Sequence, residues 1–300
     1  IGLRGWSPSE GFVDFESKAV ILASGGFQGN PEMMARYLGS SAYLLRPVSR
    51  GGMHNKGEGI QMALDIGAAP AGQYDSFHAE PTDPRTSRTD PVIYSFSYGL
   101  LVNQAGRRFV DEASGPTDLI YEEVARTIWK QPDAKAYLIY DTQIEAIEPF
   151  RRCIKSDLPP IKAGSIEELA GKLGIWPAAL RTTIEQFNQA VQEGAYDPAK
   201  LDGVRTEGIS PPKSNWAKRI EGPKFLAYPL ICSNVFTFGG LRVSPRAQVV
   251  NCDGYEIPGL YAAGEVVGIF YKYYPGSTSV LRGLVFGRLA GENASKSMYR

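Results

Sequence analysis

The chain has 300 residues, and its 32 Lys and Arg balance its 32 Asp and Glu, so no basic excess directs it to nucleic acid or to an anionic membrane. Its length suffices for a large core in two lobes, and none of its apolar runs reaches the roughly 18 residues of a membrane span. The three cysteines, Cys153, Cys232 and Cys252, have no metal-ligand spacing and an odd count, which favours a reducing, cytoplasmic location.

The first predicted elements are typical of a layered α/β protein. The β-branched run over 18–24 predicts a buried strand that ends in the pair Gly25 and Gly26. A helix is predicted over 30–38, because Asn30 can cap its first turn. Apolar residues at helical spacing predict a second helix over 60–66.

The character of the chain changes from about residue 75, where a polar, turn-rich stretch follows. Ser165 and Glu168 have the spacing of a capping box, which predicts the start of a helix. The other elements predicted in this part are a hairpin of 99–103 with 107–110, a strand over 137–140 and a helix over 177–192 that Gly194 ends.

The most informative stretch lies near the end of the chain, after predicted strands over 225–231 and 239–243. A buried strand, Leu260 to Ala263, runs into Gly264 and Glu265, and a small-residue turn then opens a helix near Ser277. A glutamate after a strand can bond sugar hydroxyls, and a helix N-terminus offers unpaired N–H groups and a partial positive charge. This arrangement suits a dinucleotide cofactor.

The simplest division of the chain is one lobe built from two separate pieces with another lobe inserted between them. The first lobe takes residues 1–74 and 222–300, and the inserted lobe takes residues 75–221. Alternating strands and helices in the first lobe predict an α/β fold, and the mixed elements of the insert predict an α+β cap.

Seven segments in order resemble the flavoprotein family of fumarate reductase, succinate dehydrogenase, 3-ketosteroid dehydrogenases and tricarballylate dehydrogenase. They are Val20–Phe27, Gly57–Ala68, His78–Pro81, Asn103–Glu112, Phe238–Leu241, Pro258–Glu265 and Phe286–Gly291. The resemblance implies a partial Rossmann-like FAD domain with an inserted capping domain. The segment His78–Pro81 and the Tyr-Tyr-Pro-Gly-Ser run from Tyr273 are most similar to the tricarballylate dehydrogenase branch.

One departure from the family pattern is large. The family binds the FAD pyrophosphate with a G-x-G-x-x-G loop after its first strand, and no such loop is found in this sequence. The resemblance therefore predicts that the chain corresponds to the C-terminal portion of such a flavoprotein. The resemblance then predicts that this chain pairs with a missing N-terminal segment of the FAD domain.

The resemblance also implies which residues contact FAD. Glu265 matches the glutamate that contacts the ribityl chain, with a solvated loop acid as the alternative interpretation. The run Ser277 to Leu281 resembles the segment whose amides approach the flavin pyrimidine edge, where a positive helix end stabilises the reduced flavin. The predicted cofactor-binding residues are Ser24, Gly25, Gly26, Gly264, Glu265, Gly276, Ser277, Thr278, Ser279, Val280 and Leu281.

The catalytic positions of fumarate reductases are replaced in this chain. The proton-donating arginine of the family falls at Pro116 or Thr117, and the arginine that clamps a substrate carboxylate falls at about Tyr274. The paired histidines before the family's Gly-Gly are absent, since Val235-Phe-Thr-Phe precedes Gly239. These replacements argue against fumarate reduction.

Aromatic and titratable residues stand in their place. A tyrosine can relay a proton when a cation or a helix end lowers its pKa, and a histidine titrates near neutrality. Arg282 can hold a carboxylate with two parallel hydrogen bonds. The predicted catalytic residues are Tyr274, Tyr98, His78, Glu80 and Arg282. Each also has a purely structural interpretation, because tyrosines usually pack in the core, histidines often form structural hydrogen bonds and arginines often lie at the surface.

Three functions remain open. The first is a dehydrogenase that transfers a hydride between a substrate C–C bond and FAD N5, with a small polycarboxylate such as tricarballylate as substrate and an electron-acceptor protein as a partner. The second is a 3-ketosteroid-type dehydrogenase with tyrosine acid–base chemistry. A polycarboxylate needs at least two convergent cations, and the candidates are Arg46, Arg50, Lys272 and Arg282. The third, of another class, is a cofactor-free interaction module.

Overall fold

The structure, a computed structural model, describes residues 2–297, and of Ser297 only the backbone. The strands are β1 Gly2–Ser7, β2 Gly11–Glu16, β3 Val20–Leu22, β4 Arg46–Pro47, β5 Pro70–Ala71, β6 Phe77–Thr82, β7 Leu100–Asn103, β8 Lys135–Asp141, β9 Ile161–Ala163, β10 Phe225–Thr237, β11 Gly240–Leu241, β12 Gln248–Val250 and β13 Glu256–Ala262. The helices are α1 Pro31–Leu38, α2 Glu58–Asp65, α3 Thr117–Trp129, α4 Thr142–Glu145, α5 Glu148–Arg152, α6 Ile166–Leu173, α7 Pro177–Ala190 and α8 Thr278–Ser297.

The chain divides into two compact units, each with helices and sheet. The first unit takes Ile1–Tyr43, Gly51–His78 and Asn234–Arg300, and the second takes Leu44–Arg50 and Ala79–Ser233. Apart from the short segment Leu44–Arg50, the chain passes from the first unit to the second within β6 and returns within β10.

A parallel strand pair joins the two ends of the first unit. Strand β3 pairs with β13, with Val20 opposite Leu260 and Leu22 opposite Ala262, and β12 lies on the other side of β13. Parallel strands pack helices on their faces, and α8 meets β13 through Ala290 and Tyr261. The glycine loop after β3 and the turn after β13 therefore start at the same edge of the sheet.

Helix α1 of the first unit begins where the sequence predicts. The side chain of Asn30 accepts hydrogen bonds from the backbone N–H groups of Glu32 and Met33 at the start of α1. Helix α2 begins two residues before the predicted 60–66. The hairpin β1–β2 was not predicted, and its register places Trp6 opposite Phe12.

The second unit is built on an antiparallel sheet. Strand β8 pairs with β7 on one side and with β10 on the other, and β9 also pairs with β10. The side chains of β8 from Ala136 to Asp141 are all buried, and those of Ala136 to Tyr140 belong to the hydrophobic core of this unit. The core includes the fully buried Tyr140, Phe150 and Phe187.

The predicted capping box at the start of α6 is confirmed in part. The Ser165 hydroxyl accepts a hydrogen bond from the Glu168 N–H, whereas the Glu168 carboxylate accepts from the Gly164 N–H rather than from that of Ser165. Helix α7 ends at Ala190, before the predicted stop at Gly194, because Val191 adopts an extended conformation.

The predicted hairpin of 99–103 with 107–110 is confirmed in part. Strand β7 forms with β8 as its ladder partner, and the chain then turns back, so that the Asn103 N–H donates to the Arg107 carbonyl and Val102 and Arg108 form an antiparallel bridge. The ladder goes no further, because the Leu101 N–H donates to the buried carboxylate of Glu112, which also binds the Arg108 guanidinium. Within residues 2–297, no helix is both long and apolar enough to cross a membrane, and no group of three or more His, Cys, Asp and Glu is arranged to hold a metal ion.

Candidate functional site

Glu265 lies at the centre of a hydrogen-bond network in the first unit. Its carboxylate accepts hydrogen bonds from the Thr237 backbone N–H at 2.9 Å, from Nε2 of Gln28 at 3.3 Å and from Nδ2 of Asn55 at 3.4 Å. Burial raises the pKa of the Glu265 carboxyl group, and the hydrogen bonds from Thr237 and Gln28 oppose that rise. Sequence reasoning identified Glu265 but none of these three donors.

Two glycines allow the chain to approach this carboxylate. A Cβ atom on Gly26 would lie 2.2 Å from Oε1 of Glu265 and 2.2 Å from Oγ1 of Thr237, which is far inside contact distance. Gly25 has a φ of 80°, and a Cβ there would lie 2.8 Å from the side chain of Asn55. The structure therefore brings the predicted residues Gly25, Gly26 and Glu265 together, although they lie near opposite ends of the chain.

The start of α8 is capped by a tyrosine. The helix begins at Thr278, after Ser277 with a φ of 64°. The Tyr274 hydroxyl accepts a hydrogen bond from the Ser279 N–H at 3.2 Å and lies 2.9 Å from the Ser279 hydroxyl. The predicted cofactor-binding residues Gly276, Ser277, Val280 and Leu281 are exposed here, and Thr278 and Ser279 are half-buried.

Arg282 is a buried cation rather than a surface one. Only 4% of the residue is exposed, and its guanidinium lies 5.1 Å from the ring centre of Phe236 and 4.7 Å from that of Phe270. One terminal nitrogen donates to the Val267 carbonyl at 3.0 Å. Burial lowers the pKa of Arg282 to about 10, while the negative charge of Glu265 raises it.

His78 and Tyr274 complete an aromatic cluster with Phe236. The ring of His78 is 4.3 Å from that of Tyr274 and 5.2 Å from that of Phe236. Tyr274 also meets Phe236 and Phe270 edge-on. Three of the five predicted catalytic residues, His78, Tyr274 and Arg282, thus share one cluster of the first unit.

The other two predicted catalytic residues belong to the second unit. Tyr98 is 7% exposed and its hydroxyl donates to the Pro198 carbonyl, while burial raises its pKa to about 12. Glu80 is half-buried and accepts a hydrogen bond from the Tyr94 hydroxyl at 3.0 Å. Burial and the charge of Glu80 raise the pKa of Tyr94, so neither phenol ionises readily.

The first unit contains buried polar atoms that no protein group satisfies. Within residues 2–297, Nε of Arg282, Oε1 of Gln28 and Oδ1 of Asn234 have no hydrogen-bond partner. Buried polar atoms are normally paired, so such atoms indicate places for water or a bound molecule. A glycine loop without Cβ atoms, a carboxylate beside it, a helix start and a buried cation together fit the sugar, the polar ring edge and the charge of a flavin nucleotide.

Comparisons with known proteins agree with this fit. The chain is 29% identical to a probable fumarate reductase Ifc3 of Shewanella frigidimarina, over 95% of this chain and 45% of that protein. It is 27% identical to a 3-oxosteroid 1-dehydrogenase of Mycolicibacterium smegmatis, over 90% of this chain and 51% of that protein. The open conformation of a flavocytochrome c3 fumarate reductase superposes on 99% of this chain and 49% of its own, with a TM-score of 0.78 and 26% identity.

The chain spans about half the length of these curated relatives. Residues 6–281, nearly the whole sequence, match the family described as the FAD binding domain, as the seven ordered segments predict. The cofactor of this family is FAD, and the fold is α/β. The chain belongs to the FAD binding domain family of flavoproteins.

Proposed function

We propose that this chain forms the flavin- and substrate-facing part of an FAD-dependent oxidoreductase that transfers a hydride between a substrate C–C bond and FAD N5. The observation that carries the proposal is the cluster of His78, Tyr274 and Arg282. It places an imidazole, a phenol and a cation beside the same aromatic rings. These are the groups that a reaction needs when a hydride leaves one carbon and a proton leaves its neighbour.

The residues around Glu265 hold the cofactor in this proposal. Glu265 would bond ribityl hydroxyls, and the backbone of Gly25 and Gly26 would lie against the flavin. A Cβ atom would collide with Asn55 at Gly25 and with Glu265 and Thr237 at Gly26. The N–H groups at the start of α8 would bind the polar edge of the flavin ring, where the positive helix end would favour negative charge. When bound, FAD supplies the hydride acceptor or donor.

The cluster residues act on the substrate in this proposal. Tyr274 is held at the positive start of α8 by the Ser279 N–H, where a developing phenolate is stabilised, and it transfers the proton. His78 packs against the Tyr274 ring and takes up or releases that proton. Arg282 is fixed between Phe236 and Phe270, and its guanidinium binds a carbonyl or carboxyl oxygen of the substrate.

The number of cationic side chains in the cluster decides which class of substrate fits it. Tricarballylate has three carboxylates, and within the described part of the first unit the cluster offers Arg282 as its one arginine. Lys272 is exposed and lies over the ring of Tyr273. One cation among Phe236, Phe270 and Tyr274 favours a substrate with a single carbonyl or carboxyl group on an apolar frame, such as a 3-ketosteroid. A small polycarboxylate remains the second candidate, supported by the unpaired Nε of Arg282.

The two units take different roles in the proposal. We assign the FAD-binding role to the first unit and the capping role to the second. The predicted lobes, 1–74 with 222–300 and 75–221, differ from these units at Leu44–Arg50 and at both ends of the insert. An electron-acceptor protein and a small-molecule substrate are its partners. The three free cysteines suit a reducing compartment such as the cytoplasm.

In this proposal the chain is part of a longer flavoprotein, called the parent protein below, and a further segment of that protein completes the FAD lobe. Within the described residues, β3 is paired only on its β13 side, so its other edge can accept a strand. Helix α8 also exposes a row of apolar side chains that a neighbouring helix would bury. They are Val280, Leu281, Leu284 and Val285.

Absorbance spectroscopy tests the proposal. The chain and the full-length parent protein are each titrated with FAD, and the flavin bands are followed without oxygen after addition of a 3-ketosteroid or of tricarballylate. We expect the parent to bind FAD and a 3-ketosteroid to bleach the bands. Bleaching by tricarballylate alone would select the polycarboxylate. Absence of bound flavin in both proteins would support the cofactor-free module and end the proposal.

A further inference from the structure

A cleft in the second unit has walls that are fixed by hydrogen bonds. It has a volume of about 460 Å³ and lies between α7 and the segments around residues 107 and 210. The Thr183 hydroxyl donates to the Gly106 carbonyl at 2.6 Å, and the Arg108 guanidinium donates to the carbonyls of Pro211 and Pro212. Such a volume is typical of small-molecule sites, and its walls need not rearrange to admit a ligand.

The charge of the cleft is positive. Its lining includes the guanidinium groups of Arg107 and Arg108, and no Asp or Glu is among its described lining residues. The Arg108 guanidinium forms an ion pair with Glu112, and its side chain is only 5% exposed. Arg107 is exposed, and its guanidinium donates to no group within residues 2–297, so its charge is available to a ligand.

An indole ring stands at the mouth of the cleft. Trp176 directly precedes α7 and is 74% exposed, which is unusual for the largest apolar side chain. The fully buried Phe187 and the half-buried Ile209 supply apolar surface deeper in the cleft. Hydroxyl groups of Thr182 and Ser210 lie on its walls. The lining thus combines a stacking surface, a cation and neutral hydrogen-bonding groups.

We propose that this cleft binds a planar aromatic anion, whose ring stacks on Trp176 and whose acidic group pairs with Arg107. An aromatic ring stacks favourably on indole, and a guanidinium binds carboxylate or phosphate oxygens in pairs. A mononucleotide and an aromatic carboxylate share this chemistry. Neither Arg107 nor Trp176 belongs to the residues assigned to FAD or to the substrate of the proposed oxidoreductase, so the cleft is a separate ligand site.

Equilibrium binding on the 300-residue chain tests the site, with AMP, 4-hydroxybenzoate and inorganic phosphate as probes. We expect saturable binding of AMP or 4-hydroxybenzoate, accompanied by a change in tryptophan fluorescence, and weaker binding of phosphate because it has no ring. Binding of AMP alone identifies a nucleotide site, and binding of 4-hydroxybenzoate alone identifies a carboxylate site. Binding of neither probe overturns the proposal, as does phosphate binding as tight as that of the better probe.

Matched variants locate the binding. Arg107→Gln and Trp176→Ala should each weaken binding by about tenfold, and Trp176→Ala should also abolish the fluorescence change. The controls are Arg205→Gln, an exposed arginine of the same unit, and Trp6→Ala, an exposed tryptophan of the β1–β2 hairpin. Both controls should bind as the unmodified chain does. Unchanged binding in Arg107→Gln and Trp176→Ala would place the probe elsewhere and refute the site.

Discussion

The backbone N–H of Thr237 donates to the carboxylate of Glu265 at 2.9 Å, and that one bond ties the end of β10 to the turn after β13. The same carboxylate binds Gln28, which lies 237 residues earlier in the chain. Glu265 therefore orders three distant segments before it contacts any cofactor. Its environment gives the first two predictions.

Substitution of Gly26 by Ala should destabilise the first unit. The new Cβ would overlap with the oxygens of Glu265 and Thr237, so the free energy of unfolding should fall by about 2–3 kcal/mol. Gly283→Ala is the control, because a Cβ there meets no atom within 4 Å and alanine favours a helix. Urea unfolding measures both variants, and equal stabilities would contradict the close approach.

Glu265→Gln should change how stability depends on pH. Burial raises the pKa of Glu265 in the folded state, so the folded chain binds more protons than the unfolded chain above the ordinary carboxyl pKa of about 4.5. The free energy of unfolding should therefore fall as the pH rises through the folded pKa. The glutamine side chain of the variant does not titrate. The variant's free energy of unfolding should therefore rise relative to that of the unmodified chain over the same pH range. Urea unfolding from pH 4 to 8 gives the difference, and a difference that shifts the other way would refute the raised pKa.

Tyr274→Phe should separate capping from catalysis. Loss of the hydroxyl leaves the Ser279 N–H without its acceptor at the start of α8, which should cost about 1 kcal/mol of unfolding free energy. In the FAD-loaded parent, hydride transfer should slow by about 100-fold or more if the phenol carries the proton. Tyr273→Phe is the control, since Tyr273 is 60% exposed and no hydrogen bond of its hydroxyl occurs within residues 2–297. A stability loss without a change in rate would leave Tyr274 as a cap alone.

Arg282→Met should weaken substrate binding while FAD stays bound. Methionine keeps apolar contact with Phe236 and Phe270 but removes the charge, and replacing a buried charge by an apolar side chain often costs little stability. We expect the KM of the parent protein for its substrate to rise by about tenfold or more. Arg288→Met on the exposed side of the same helix is the control, with its partner Glu292. An unchanged KM would remove Arg282 from the substrate site.

Lys213→Met should remove a pH dependence from the second unit. Burial lowers the pKa of Lys213 to about 8, although Glu112 raises it, and its ammonium donates to the carbonyls of Ser97 and Gly99. The unfolded chain keeps this proton to about pH 10.5, so the free energy of unfolding should rise with pH between 8 and 10.5. Urea unfolding of Lys213→Met should lack that rise and show lower stability throughout, since two buried carbonyls lose their donor. An equal rise in both proteins would contradict the assignment.

Local sequence signals were sufficient for many elements and for part of the site. Caps such as Asn30 act within one helical turn, and Gly26 and Glu265 follow apolar strands whose pairing brings them together. The donors to Glu265 could not be predicted, because Thr237 and Asn55 reach it through tertiary folding rather than through spacing. The hairpin at 107–110 stops after one bridge for a related reason, since the Leu101 N–H donates to the buried carboxylate of Glu112 rather than to the returning chain.

The parallel pairing of β3 with β13 has a consequence for folding. The first unit cannot form its central sheet until residues near the two ends of the chain meet, and closing such a long loop costs entropy before any contact is gained. Most of the intervening chain, Ala79–Ser233, belongs to the second unit. If this stretch folds first, it shortens the open loop between β3 and β13. The order of synthesis and the folding rate of the second unit should then set how long the edge of β3 stays exposed to non-native strand pairing.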